Sequence, residues 1–98
     1  MTAYLIANIP FSDSPAARTY RERVPAVIAA YGGRYVVRGG PIEVLEGRPM
    51  DDRRIVVVAF PDRDTARRFY HSPEYQEIIA LRQEEAGGDL VVVDGYEG

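Results

Sequence analysis

The sequence has two halves with the same order of local signals, and this order is the strongest constraint on its fold. In each half an apolar run ends at a proline, a capped helical pattern follows, and a glycine pair precedes another apolar run. Proline cannot donate to a strand ladder and glycine favours turns, so these residues limit the predicted elements. The limiting residues are Pro10 after residues 3–9, Gly32 and Gly33, Pro61 after residues 53–60, and Gly87 and Gly88.

Both helical regions begin at residues whose side chains can cap a helix. Ser14 is the predicted N-cap of a first amphipathic helix, whose apolar residues recur at three- and four-residue spacing until Gly32. Pro25 lies inside this helix and predicts a kink, because it removes one backbone hydrogen bond. Asp62 and Ser72 are the predicted N-caps of two successive helical segments in the second half.

The remaining segments have the character of strands. Residues 34–38 form a predicted strand that residues 39–41 interrupt, and Ile42 to Leu45 are expected to continue it towards a turn within residues 46–52. Residues 53–60 predict a central strand, and the run that begins at Asp89 predicts a last one. The resulting β-α-β-β-α-β order is ferredoxin-like, which is an α+β fold with one antiparallel four-stranded sheet and helices on one face. We expect a single domain over residues 1–98.

The predicted sheet is apolar on both faces. In the first strand, Tyr4, Ile6 and Asn8 point one way and Leu5 and Ala7 the other, and neither set suits water. The helices cover one face only, so the open face needs another layer. A second copy packed sheet to sheet meets this need, and we therefore predict a homodimer that encloses cavities between sheet and helices.

Composition excludes several classes of function. The 12 basic residues are outnumbered by 15 acidic ones, which argues against a nucleic-acid partner. No cysteine is present, so the chain has no disulfide and no thiolate nucleophile. The N-terminus has neither a basic region nor a long apolar run, and we expect no signal peptide, no membrane partner and a cytoplasmic protein. No cofactor is expected. With a single histidine, His71, we expect no metal site.

Several motifs together resemble a small bacterial family known as domain of unknown function 1330. They are the segment "AYGGRYVVRGG" followed by "EVLEG", then "RRIVVVAFPDRDTARRFYHSPEYQEIIALR", and the closing "VVVDG". The resemblance covers nearly the whole chain and implies a dimeric α+β barrel, a group that includes small cofactor-independent monooxygenases. It supplies no chemistry for this chain. The family commonly has an acidic residue where this chain has Ala59, and Asp where it has His71.

Arg38 is the leading candidate for a ligand-binding residue. Arg34 and Arg38 are four residues apart on one predicted strand, so we expect both on the same face, together with Val36. On the open face Arg38 would lie near the cavity and bind a carboxylate through two hydrogen bonds. The alternative is a structural ion pair between Arg38 and Glu43, Glu46 or the partner chain.

Four further residues complete the candidate site. Tyr4, Asn8 and Tyr75 are expected around the ligand that Arg38 binds, although most tyrosines in such a chain lie at the edge of the core or in an interface. His71 is a candidate general base near neutral pH or a lone haem or metal ligand, or else an exposed residue in the corner between two helices. The glycine pairs lack the strand-to-helix order of a phosphate-binding loop.

Two hypotheses from different classes follow. The first is a ligand-binding or enzymatic dimeric barrel, whose small-molecule ligand is an organic acid or an aromatic compound. The second is a non-catalytic dimerisation module whose sheet face is simply filled. A partly polar cavity favours the first hypothesis, and a dry, fully packed interface favours the second. The sequence leaves open whether the protein is an enzyme.

Overall fold

A computed structural model describes residues 1–47, 53–83 and 88–96. Four strands form one antiparallel sheet in the order β2-β3-β1-β4, and three helices accompany it. This order confirms the predicted ferredoxin-like α+β fold and the central position of β3. The elements are β1 Ala3–Pro10, α1 Pro15–Ala30, β2 Arg34–Arg38, β3 Arg53–Phe60, α2 Arg63–His71, α3 Pro73–Gln83 and β4 Asp89–Asp94. No helix in the described part of the chain is long and apolar enough to cross a membrane.

The predicted caps are confirmed in atomic detail. The Ser14 hydroxyl accepts a hydrogen bond from the Ala17 backbone N–H at 3.1 Å, and the Asp62 carboxylate accepts one from Thr65 at 2.7 Å. These bonds satisfy backbone donors that have no partner within the first turn of a helix. Gly32 has a φ of 78° after the last turn of α1, in the left-handed region that favours glycine.

Ser72 joins α2 to α3 and is itself buried. Its hydroxyl donates to the Phe69 carbonyl oxygen at 2.7 Å and accepts from the Tyr75 backbone N–H at 3.1 Å. One side chain therefore caps the end of one helix and the start of the next. This supports the interpretation of Ser72 as a cap.

The core lies between the sheet and the three helices, and α1 contributes Val24 and Ile28 to it. Leu5 and Ala7 of β1 point to this covered face, and the register places Val58 and Val56 of β3 beside them. Three aromatic rings extend the core towards the helices. The ring centroids of Phe60 and Phe69 are 5.3 Å apart, and those of Phe69 and Tyr75 are 4.6 Å apart. Such tilted aromatic pairs stabilise a core by more than their buried area alone.

The opposite face of the sheet is apolar and is not covered by a helix. Tyr4, Ile6 and Asn8 lie on this face in the middle of the sheet, as the alternation in β1 predicted. The strands on either side add apolar side chains with exposed fractions between 39% and 56%. These are Val36, Val37, Ile55, Val91 and Val93. We call this surface the open face.

The predicted continuation of β2 is wrong. Ile42 to Leu45 alternate as a strand would, but they form no strand and are exposed. Gly39 ends the pairing: its φ is 67°, and its N–H donates to Ile55 at 2.9 Å as the last backbone bond from this segment to β3 among the described residues. The turn expected in residues 46–52 and the helix end expected at Gly87 fall largely or wholly outside the described residues.

A pair of glycine substitutions tests the packing between α1 and β3. A Cβ atom on Gly33 would lie 2.7 Å from Phe60 and 2.8 Å from Ile28, whereas one on Gly40 would meet nothing within 4 Å. We expect Gly33→Ala to lower the free energy of unfolding by about 1–3 kcal/mol. Gly40→Ala should change it by less than about 0.5 kcal/mol. Urea denaturation of both variants measures the difference, and equal effects would contradict this packing.

Candidate functional site

A cavity of about 530 Å³ separates α1 from the covered face of the sheet. Its walls are mostly apolar, which suits the carbon skeleton of a small molecule, and its volume is within the range of ligand sites. The apolar lining comes from β1, α1, β3 and α2, and it includes Leu5, Ala7, Val24, Ile28, Val58 and Phe69. The cavity therefore lies on the side of the sheet away from the open face.

A β-bulge in β2 directs Arg38 towards this cavity. Tyr35 pairs with Val58 and Val37 pairs with Val57, so Val36 is an extra residue that shifts the alternation by one. Arg34 stays on the open face, whereas Arg38 lies on the covered side with Tyr35. The prediction that both arginines share a face is therefore wrong, because it assumed an unbroken strand.

Contacts hold the Arg38 guanidinium at the edge of the cavity. It lies 4.6 Å from the centre of the Tyr35 ring, and its Nη2 donates to the Arg21 carbonyl oxygen at 3.0 Å. Burial raises the pKa of Tyr35, and the positive charge of Arg38 works against that rise. Arg38 is thus positioned by an aromatic ring below it and by the backbone of α1 beside it.

Two more arginines stand beside Arg38 around an exposed aromatic ring. The guanidinium carbons of Arg54 and Arg21 lie 4.6 Å and 5.3 Å from the centre of the Phe11 ring. Arg21 also donates to the Ser12 carbonyl oxygen at 2.7 Å. We call Arg21, Arg38 and Arg54 the arginine rim. Glu22 is the one acidic residue among the described residues that line the cavity, and Asp13 outside the lining pairs with Arg21 at 3.7 Å. Three guanidinium groups therefore stand against two carboxylates, and the rim keeps a net positive charge.

The inner part of the cavity carries a second polar group, formed by Tyr20, Tyr75 and Arg82, which we call the inner polar cluster. The two tyrosine hydroxyls are 2.8 Å apart and share a hydrogen bond. Arg82 is only 6% exposed, and its guanidinium carbon lies 5.8 Å from the Tyr20 ring. Burial raises the pKa of Tyr20 well above its usual range, Tyr75 adds to the rise, and Arg82 opposes it.

The structure brings together two of the five predicted site residues. Arg38 and Tyr75 line the cavity, whereas Tyr4 and Asn8 lie on the open face, so the expectation that all four surround one ligand is wrong. The alternation in β1 is the reason: even-numbered positions there point away from α1. His71 is exposed and lines a separate cavity of about 300 Å³ beside α2 and β4.

Tyr20 and Arg82 were not predicted, although the sequence carries a signal for Arg82. Tyr75, Ile78 and Ile79 are the buried residues of α3, and Arg82 follows them at the next position on the same helical face. A charged residue in an apolar stripe indicates a buried polar site. Tyr20 gives no such signal, because tyrosine in an amphipathic helix is usual at the edge of a core.

Metal binding has no support in the described part of the chain. No three His, Asp or Glu side chains there lie close enough together to hold a metal ion. The chemistry that this site offers is therefore that of guanidinium and phenol groups around apolar walls.

Residues 2–96 match the model of a protein family described as domain of unknown function DUF1330. The chain belongs to this family. The match covers the whole sheet and all the residues of the cavity, and it confirms the resemblance seen in the glycine-bracketed strand and the second helical region. No curated protein matches the sequence.

Solved structures similar to this DUF1330 protein share its fold at low sequence identity. RPA0582, a protein of unknown function from Rhodopseudomonas palustris, is 18% identical with a TM-score of 0.71, over 98% of this chain and 84% of that one. SnoaB, a cofactor-independent oxygenase from Streptomyces nogalater, is 13% identical with a TM-score of 0.66, over 99% and 95%. A dimeric ferredoxin-like protein of unknown function from Jannaschia sp. CCS1 is 13% identical with a TM-score of 0.65, over 97% and 100%.

The raised pKa of Tyr20 predicts how stability depends on alkaline pH. Above about pH 10 the unfolded chain loses the Tyr20 proton while the folded protein keeps it, so stability falls by up to about 1.4 kcal/mol per pH unit from this group. Below pH 10 the group has no effect. Tyr20→Phe should therefore reduce the loss of stability between pH 9 and pH 11, measured by urea denaturation. Tyr96→Phe is the control, because Tyr96 is exposed, and an unchanged loss in Tyr20→Phe would contradict the burial of Tyr20.

Proposed function

We propose that this DUF1330 protein binds a small organic acid with an aromatic or otherwise apolar body in the cavity between α1 and the sheet. The observation that carries the proposal is an apolar cavity of about 530 Å³ bordered by the arginine rim. Apolar walls favour the body of such a ligand, and guanidinium groups favour its carboxylate.

The charge at the rim supports an anion over a neutral ligand. Arg21, Arg38 and Arg54 stand against Glu22 of the lining and Asp13, the ion-pair partner of Arg21. A guanidinium presents paired N–H donors that match the two oxygens of a carboxylate. The contacts of Arg38 and Arg54 with aromatic rings reduce their mobility, so less side-chain entropy is lost when a ligand binds.

The cavity also favours ligand binding over the alternative of a purely structural module. A module whose only role is dimerisation has no need of a space between its own helix and sheet, since packed interiors are more stable than open ones. SnoaB is an oxygenase that needs no cofactor, but its likeness to this chain lies in the fold alone. Binding is therefore the function that the geometry supports best.

A second proposal concerns the open face. We propose that two copies pack through it as a homodimer. An apolar sheet surface of this kind marks an interaction site in a soluble protein, and one structural neighbour is a dimeric ferredoxin-like protein. The cavity lies on the other side of the sheet, so the proposed dimer leaves the arginine rim accessible.

Substitutions on the two sides of the bulge test ligand binding. Wild-type protein should bind benzoate more tightly than benzamide in isothermal titration calorimetry, since only benzoate is anionic. Arg38→Gln should weaken benzoate binding about three- to tenfold, the loss of one charged hydrogen-bonding group. Arg34→Gln removes the same charge from the same strand on the other face and should leave the affinity unchanged. Equal effects, or no binding of any aromatic acid in a thermal-shift screen, would contradict the proposal.

One substitution in the centre of the open face tests the dimer. Val57→Asp places a charge where the proposed interface would exclude water, and we expect it to convert a dimer into a folded monomer. Ala80→Asp is the control, because Ala80 is exposed on α3 away from that face. Light scattering coupled to gel filtration measures the mass of each. A wild-type monomer, or a Val57→Asp variant that remains a dimer, would count against this interface.

A further inference from the structure

The inner polar cluster is not needed to bind a carboxylate at the arginine rim. Arg82 and Tyr75 are almost fully buried, and Tyr20 is half-buried. Burying a guanidinium and two hydroxyls costs free energy unless each finds hydrogen-bond partners, and apolar side chains at the same positions would avoid that cost. Contacts among the three side chains offset part of this cost, but the packing of the core does not by itself require a polar cluster at this place.

The hydrogen-bonding capacity of the cluster indicates which ligand atom it would bind. Each tyrosine hydroxyl has one hydrogen, and the bond between Tyr20 and Tyr75 uses one of the two. The other hydroxyl hydrogen is available to an acceptor within the cavity, whichever tyrosine donates to its neighbour. Arg82 adds N–H groups and no acceptor, since a guanidinium only donates. The cluster thus offers donors, together with a positive charge.

The protonation state of Tyr20 is consistent with this role. Burial raises the pKa of Tyr20, so its hydroxyl keeps its hydrogen throughout the physiological range. The Tyr20 hydroxyl is therefore a neutral hydrogen-bonding group beside a guanidinium. Such an arrangement stabilises an oxygen that carries partial or full negative charge, in the manner of donors aimed at a carbonyl oxygen or an oxyanion.

We propose that the inner polar cluster is a second anchoring subsite, which binds a carbonyl or phenolate oxygen at the far end of the ligand. The ligand class is therefore an aromatic acid with two polar ends: its carboxylate lies at the arginine rim and its acceptor oxygen at Tyr20, Tyr75 and Arg82. The inference rests on the proposed function, because it assigns the inner half of the same cavity. The lining residues place the two polar groups on one continuous apolar space.

A pair of nearly isosteric acids tests this inference with the full chain. 4-Acetylbenzoate has a carbonyl oxygen opposite its carboxylate, and 4-isopropenylbenzoate has a CH₂ group in the same place. We expect wild-type protein to bind 4-acetylbenzoate about fivefold to tenfold more tightly in isothermal titration calorimetry, which is the value of one hydrogen bond to a buried donor.

Conservative variants test whether the inner polar cluster causes the preference for 4-acetylbenzoate over 4-isopropenylbenzoate. Tyr20→Phe and Tyr75→Phe remove one hydroxyl each and keep the ring, so both are expected to fold. Because the remaining hydroxyl can still donate in either single variant, the decisive protein is the Tyr20→Phe/Tyr75→Phe double variant, in which the preference for 4-acetylbenzoate should fall to within about twofold. Tyr70→Phe is the matched control: its ring is 5.6 Å from that of Tyr75, but Tyr70 does not line this cavity. It should keep the full preference.

The outcomes separate the inference from the proposed function. If wild-type protein binds both acids equally well, the inner subsite is wrong and ligand binding at the arginine rim stands. If the preference persists in the Tyr20→Phe/Tyr75→Phe double variant, the acceptor is bound elsewhere and the subsite is again wrong. If neither acid binds, the proposed function is overturned and this inference with it.

Discussion

The alternation of side chains across one four-stranded antiparallel sheet determines the rest of this structure. Because successive residues of a strand point to opposite faces, β1 sends Leu5 and Ala7 towards the helices and Tyr4 and Asn8 away from them. Both sets are largely apolar, and the helices cover only one of them. The same constraint therefore produces a core with a cavity on one side and an exposed apolar surface on the other. The proposed ligand site and the proposed dimer interface therefore lie on different faces of the sheet.

One residue breaks this alternation, and the candidate site depends on the break. Without the extra residue Val36, Arg38 would share a face with Arg34 and lie far from the cavity. With it, Arg38 reaches the edge of α1 and completes the arginine rim. Bulges often direct a side chain towards a functional site, at the cost of one unpaired residue in the ladder. The inner polar cluster has a similar cost. Burying its polar groups lowers the stability of the fold, but it provides hydrogen-bond donors within an apolar cavity.

The features that neighbouring residues specify, such as helix caps, could be predicted from the sequence. The features that depend on pairing between strands could not. The caps Ser14, Asp62 and Ser72 and the left-handed Gly32 are specified by neighbouring residues, and all four are found as predicted. The face of Arg38 was predicted wrongly because a bulge is set by the register against β3, which no local pattern reveals. Tyr75, a predicted ligand residue, lines the cavity, but its hydrogen-bond partner Tyr20 comes from another helix, 55 positions away.

The central claim is that the ligand site lies between α1 and the covered face of the sheet. The most direct test is a titration of ¹⁵N-labelled protein with 4-acetylbenzoate, followed by the backbone amide signals in two-dimensional NMR. Binding in the cavity should shift the signals of Tyr20, Arg38 and Tyr75 progressively, with little change at Tyr4 and Asn8. Shifts concentrated at Tyr4 and Asn8, or at His71 beside the smaller cavity, would contradict it.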